Sequence, residues 1–95
     1  MTPEGKVKAK VKRLLKKHEA YYFMPVQTGY GVPTLDFLGC HRGSFFAIET
    51  KAPGKKPTKR QEVIIFEMVC ASAEVFVIDG SDLSFQSLED WLQDT

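Results

Sequence analysis

The chain has 95 residues and a net charge of +1. That length makes one domain over residues 1–95, with a modest core and an open groove instead of a deep two-lobed cleft. An apolar content of 43% excludes a disordered chain, and all 13 Lys and Arg lie within residues 1–60, beside four acids, while residues 61–95 hold eight acids and no Lys or Arg.

Thr2 is placed to cap a first helix with Pro3 at its first position, running to about His18, with Val7, Val11, Leu14 and Leu15 as one apolar stripe. Lys6, Lys8, Lys10, Lys12, Arg13, Lys16 and Lys17 occupy its other faces. A lysine-rich start of this kind has no apolar segment of a signal peptide, and no stretch nears the roughly 18 apolar residues of a membrane span, which predicts a soluble, cytoplasmic protein. At about 100° per residue Glu4 falls within the apolar stripe. It either meets the helix dipole or supplies a metal ligand from outside the sheet.

A first strand is expected over residues 20–27, with Pro25 marking an edge or a bulge. Residues 28–33 follow as a loop. Two further strands, over residues 34–39 and 44–51, are joined by Cys40-His41-Arg42-Gly43, which suits a hairpin. Residues 52–57 form a basic loop, and a second helix spans about 58–72, with Thr58 and Gln61 at capping-box spacing and Val63, Ile64, Phe66, Met68, Val69 and Cys70 on its apolar side. The apolar run of residues 74–79 predicts a central strand, parallel to the third strand across the helix between them. Phe85, Leu88, Trp91 and Leu92 recur at helical spacing in a terminal helix whose Trp91 is a packing anchor. Cys40 and Cys70, even with His18 and His41, make neither a disulfide framework nor a zinc spacing, so free thiols are expected.

Chemistry concentrates on Asp36 and the triplet Glu49-Thr50-Lys51. Strand side chains alternate, so Glu49 and Lys51 share a direction and Asp36 can lie across the ladder from them. A surface Glu49–Lys51 pair would be worth only about a few tenths of a kcal/mol. Residues 45–48 are continuously apolar, however, and charges that end a strand buried on both faces need partners or a ligand. Two carboxylates beside an ammonium can hold a hard cation, Mg²⁺ or Mn²⁺, next to a phosphate or a water. Two basic clusters bracket them, one on the first helix and one of Lys51, Lys55, Lys56, Lys59 and Arg60. Each is either a solvated face or a footprint for a polyanion.

Gly31-Val32-Pro33 leading to Asp36, the Glu49-Thr50-Lys51 triplet after an apolar strand, and Gln61 on the next helix together resemble the PD-(D/E)XK nuclease superfamily, and within it the small stand-alone VRR-Nuc group of phage and bacteria. The resemblance covers roughly residues 2–79, with one departure: many relatives place the aspartate directly after the proline, whereas Thr34 and Leu35 intervene here. It implies an α/β, restriction-endonuclease-like αβββαβ core, a central mixed sheet flanked by helices, followed by a short C-terminal helix. It also implies a metal-dependent, structure-selective DNA endonuclease acting on branched DNA such as four-way (Holliday) junctions or flaps, working as a homodimer in a bacterial or phage-infected cell.

By that resemblance Asp36, Glu49, the Thr50 carbonyl and Glu4 would hold Mg²⁺ or Mn²⁺. Lys51 would orient a water or offset charge on the phosphate, with Gln61 beside it. Lys8, Lys12, Lys16, Lys55, Lys56, Lys59 and Arg60 would contact DNA. The terminal helix and the cluster Tyr21-Tyr22-Phe23 are available for a dimer interface or for the chain's own core. Two other readings remain open: a nucleic-acid-binding module without catalysis, and assembly through the oppositely charged parts of the chain.

Overall fold

Thr2 begins the ordered chain by accepting the Gly5 N–H on its side-chain oxygen at 3.0 Å, and Pro3 opens the helix behind it. In this computed structural model, residues 1–26 and 33–95 are described. Seven elements follow in the order α1 (Pro3–Lys17), β1 (Tyr21–Phe23), β2 (Phe37–His41), β3 (Ser44–Thr50), α2 (Lys59–Cys70), β4 (Glu74–Ile78) and α3 (Asp82–Asp94). Among the described residues the fold is α/β, a four-stranded mixed sheet flanked by three helices. Among the described residues no helix is long and apolar enough to cross a membrane.

The sheet order is β1-β2-β3-β4. β1 and β2 pair antiparallel, as do β2 and β3, and α2 carries the chain over to a β4 that runs parallel to β3 as expected. The hairpin is tighter than the sequence suggested, because Cys40 and His41 belong to β2 and only Arg42 and Gly43 turn. Both have positive φ, 49° and 86°, the backbone of a two-residue turn that matches strand twist. His41 is buried and its Nε2–H donates to the Leu92 carbonyl at 2.8 Å, tying the hairpin to α3.

Three expectations are corrected. β1 covers only Tyr21–Phe23, with Pro25 beyond its end, because proline has no N–H for the ladder. Gln27, the last residue of the expected strand, and residues 28–32 of the expected loop, Gly31 and Val32 among them, lie outside the described residues. β4 is an edge strand and not a central one. Its apolar run is accounted for by helices, since α2 and α3 both pack against it. The apolar side of α2 is likewise not buried: lying over that edge strand, the helix has no fully buried residue, and Val63, Phe66 and Val69 are exposed.

The core lies between α1, α3 and one face of the sheet. Val7, Val11 and Leu15 of α1 meet Phe37, Phe46, Ile48 and Ile78 of the sheet and Phe85, Leu88 and Leu92 of α3. Fully burying each such side chain stabilises the fold by about 1.5–3 kcal/mol relative to exposure. Trp91 packs edge-on to Phe46 and against His41 and Phe76, so α3 spends its apolar stripe within the chain. Tyr22 does the same against Phe37, while Tyr21 and Phe23 remain exposed. Both cysteines are free and exposed.

Candidate active site

Beyond the Phe37–Ile48 pair the backbone ladder between β2 and β3 stops, with Asp36 opposite Glu49 one step further on. Two main-chain N–H groups would be left without acceptors there, and carboxylates supply them. The Asp36 N–H donates to Glu49 Oε1 at 3.3 Å, and the Thr50 N–H donates to Asp36 Oδ2 at 3.0 Å. The Thr50 hydroxyl adds a bond of 2.7 Å to the same oxygen. Leu35, fully buried, anchors the chain just before Asp36. The two residues inserted between Pro33 and Asp36 therefore still deliver the acid to the end of the ladder.

Three other elements complete the cluster. Gln61, in the first turn of α2, donates Nε2–H to Glu49 Oε2 at 2.6 Å. Lys51, immediately after β3, places Nζ 3.6 Å from the same oxygen. From α1, Lys8 Nζ stands 3.3 Å from Glu4 Oε2 and 4.0 Å from Asp36 Oδ1, an ammonium between two acids. Asp36, Glu49, Lys51 and Gln61 are thus brought together at one end of the sheet, between α1 and α2. Glu4 reaches the group only through Lys8.

Electrostatics at this end are unbalanced. Glu49 is 3% exposed, and its carboxyl is held above the usual carboxylate range, first by that burial and next by the neighbouring charge of Asp36. Lys51 and the Asp36 N–H pull it back without cancelling the rise. A buried acid beside a second acid favours any cation placed between them.

The donor set fits a hard divalent cation of limited protein coordination. Asp36 Oδ2 is fully engaged by Thr50, and Glu49 Oε2 by Gln61 and Lys51. Asp36 Oδ1, 4.0 Å from Lys8 Nζ, and Glu49 Oε1, which accepts only the Asp36 N–H at 3.3 Å, are the less engaged oxygens, and each keeps a lone pair for a ligand. Among the described residues no group of three or more His, Cys, Asp or Glu is close enough to hold a metal. Mg²⁺ commonly takes one or two carboxylates and completes its shell with water and substrate phosphate, whereas a dedicated cage of calcium or zinc type needs more. Were a cation held there, oxygen donors alone would favour Mg²⁺ or Mn²⁺ over zinc.

The basic residues divide by position. Lys12 and Lys16 are exposed along α1, Lys55 and Lys56 in the loop after β3, and Lys59 and Arg60 in the first turn of α2, while Lys8 is turned into the cluster. Two roles escaped the sequence. The Thr50 side chain fixes Asp36, whereas only its carbonyl carried an expectation. Lys8 pairs with Glu4, four residues earlier on α1, a spacing visible in the sequence. No model of a known protein family matches this chain, and no curated protein or solved structure does either.

Proposed function

We propose that the chain is a Mg²⁺- or Mn²⁺-dependent endonuclease that hydrolyses phosphodiester bonds in structured DNA, branched DNA such as junctions and flaps being the substrate class. The observation that carries this reading is the Asp36–Glu49 pair, one oxygen of each carboxylate lightly engaged, with Lys51 and Gln61 on Glu49. Asp36 and Glu49 are the residues that would hold the cation. Bound there, the cation supplies Lewis-acid polarisation of the phosphate and a more acidic water. The Thr50 bonds keep Asp36 in one orientation and the Gln61 bond does the same for Glu49. Lys51, whose Nζ stands 3.6 Å from the same Glu49 oxygen, would offer an ammonium to the charge that develops on the phosphate. Lys8, 4.0 Å from Asp36 Oδ1, is a cation beside the free oxygen of Asp36 that would give way to a divalent ion.

Exposed Lys55, Lys56, Lys59 and Arg60, in the loop after β3 and the first turn of α2, and Lys12 and Lys16, further along α1, would contact phosphates of the substrate. Symmetric cutting of a four-way junction needs two related active sites, which a homodimer with two-fold symmetry provides. A second reading, binding without hydrolysis, is favoured by the small acidic donor set.

End-labelled four-way junction, flap and linear duplex, incubated with the protein in Mg²⁺ and in Mn²⁺, separate the two. Nicks that vanish with chelator and fall at least about a hundredfold in Glu49→Ala, with binding retained, support the nuclease. Full binding with no nicks in either metal supports the binding module.

A further inference from the structure

α1 carries charge on two flanks, and the candidate active site uses one of them. Successive helical residues are about 100° apart, so Lys8 and Lys10 stand about 200° apart around the axis. Lys8 faces Asp36. Lys6, Lys10 and Arg13 recur at helical spacing on the other flank, where they line a groove of about 410 Å³ with Pro3, Val7, Pro53, Gly80 and Phe85.

Three features set this groove apart from a solvated face. Its floor is apolar and assembled from four segments: α1, the loop after β3, the turn before α3, and α3. Gly80, at φ +88°, permits the assembly, since a Cβ there would stand 3.1 Å from Pro53 and 3.3 Å from Val7. The Lys10 ammonium lies over the Phe85 ring, 4.2 Å from its centroid, which holds it across the floor. Among the described residues, Lys6, Lys10 and Arg13 pair with no carboxylate, as is true of Lys12 and Lys16, whereas Lys8 and Lys17 on the same helix do; only the first three also line an apolar floor. Asp79, beside Gly80, is already committed to the Ser81 N–H at 3.0 Å.

We propose that this groove holds a second phosphodiester strand, so that a nucleic acid straddles α1 with one strand at Asp36 and Glu49 and its companion along Lys6, Lys10 and Arg13. The inference rests on the nuclease reading for its first strand, and it adds that the substrate is two-stranded where it is cut. The dimensions agree. A helix with its side chains is about 10–12 Å across, and the major groove of B-form DNA is about 12 Å wide and admits one. Three unpaired cations over a floor without acids suit the evenly spaced charges of a backbone.

The test is fluorescence anisotropy in chelator, so that nothing is cut, using a labelled duplex, a four-way junction and a single strand of the same sequence over a salt series. The Lys6→Gln/Lys10→Gln/Arg13→Gln variant should bind duplex and junction at least about tenfold more weakly, with a log–log salt slope flattened by about three, while its affinity for single strand stays within about twofold. All three side chains are exposed, and an unchanged melting midpoint verifies the fold. Lys10→Arg, which keeps the charge, should bind duplex as the wild type does. Unchanged duplex affinity in the triple variant, or an equal loss on single strand, overturns the proposal. Because binding is read without cleavage, a protein that holds duplex through this groove yet cuts nothing would lose the nuclease reading and keep the second strand.

Discussion

Gln61 is bound to Glu49 by the shortest contact of the cluster, Nε2 to Oε2 at 2.6 Å, while its own Oε1 accepts the Thr58 N–H at 2.9 Å. With Thr58 Oγ1 accepting the Gln61 N–H in return, this is a complete capping box whose second member also holds a site carboxylate. The capping and site roles of Gln61, alternatives when read from sequence, are compatible because the amide has separate donor and acceptor ends.

That division makes the two roles separable by mutation. Gln61→Glu keeps an oxygen for the Thr58 N–H, so the capping box survives, but it removes the donor to Glu49 and sets a carboxylate against it. Cleavage should therefore fall about 10- to 100-fold, and the melting midpoint should drop at neutral pH and recover in acid. Gln61→Ala should lose both, with about 1 kcal/mol of stability gone alongside the activity. Calorimetry and a cleavage assay on the same preparations check it. A Gln61→Glu protein as active as wild type would show that Glu49 needs no donor there.

Thr50→Val tests the hold on Asp36. Valine keeps the β-branched shape at a fully buried strand position but removes the 2.7 Å hydroxyl bond to Oδ2, leaving only the backbone N–H. A hydrogen bond to a charged group is worth about 1.5–3 kcal/mol, so denaturant unfolding should register a loss of that order. Metal-dependent cleavage should fall by about 10- to 100-fold, as for other residues that orient a ligand.

Much of this was legible in local pattern. The cap at Thr2, the capping box at Thr58, the stripe of α1 and the parallel crossover into β4 all follow from short-range spacing, and each is present. What pattern could not settle was which neighbour covers an apolar surface. The run in β4 looks the same whether strands lie on both sides or helices lie on both faces, and α2 has an apolar side with little sheet beneath it. At the site, the spacing of Glu49 and Lys51 announced their pairing, whereas the bond from Thr50 to Asp36 depends on where the ladder ends. Only the register shows that.

Gly39 locates a second sensitive point far from the acids. It pairs with Tyr22 of β1, and a Cβ there would stand 2.1 Å from the Tyr21 carbonyl oxygen and 2.8 Å from the Phe46 ring. Neither can yield readily, one being backbone and the other fully buried. Gly39→Ala should therefore destabilise the fold by roughly 1–3 kcal/mol, as overpacking does, and loosen β1 from the sheet. Hydrogen exchange of the Tyr21–Phe23 amides in the variant would report that loosening directly, and wild-type protection would contradict it.

The raised carboxyl of Glu49 gives stability a pH dependence whose sign is fixed. Burial and Asp36 make the folded protein hold this proton more tightly than the unfolded chain, whose value is near 4.5. Its stabilising contribution is complete below that value and is lost as pH rises through the higher folded value, because ionisation then leaves an under-compensated buried charge. Glu49→Gln stays neutral throughout. Its melting midpoint should match wild type in acid, rise above it as pH passes 4.5, and hold a constant lead once wild-type Glu49 is fully ionised. Lys51→Ala removes an opposing cation, so it should push the Glu49 value further up and shift the acid limb of the cleavage profile towards neutral pH. Millimolar Mg²⁺ at neutral pH should restore stability to wild type and leave Glu49→Gln unmoved, because only the carboxylate can exchange the cost of its charge for a bound cation. Parallel melting curves for the two proteins at every pH, with and without Mg²⁺, would remove Glu49 from both the titration and the metal site.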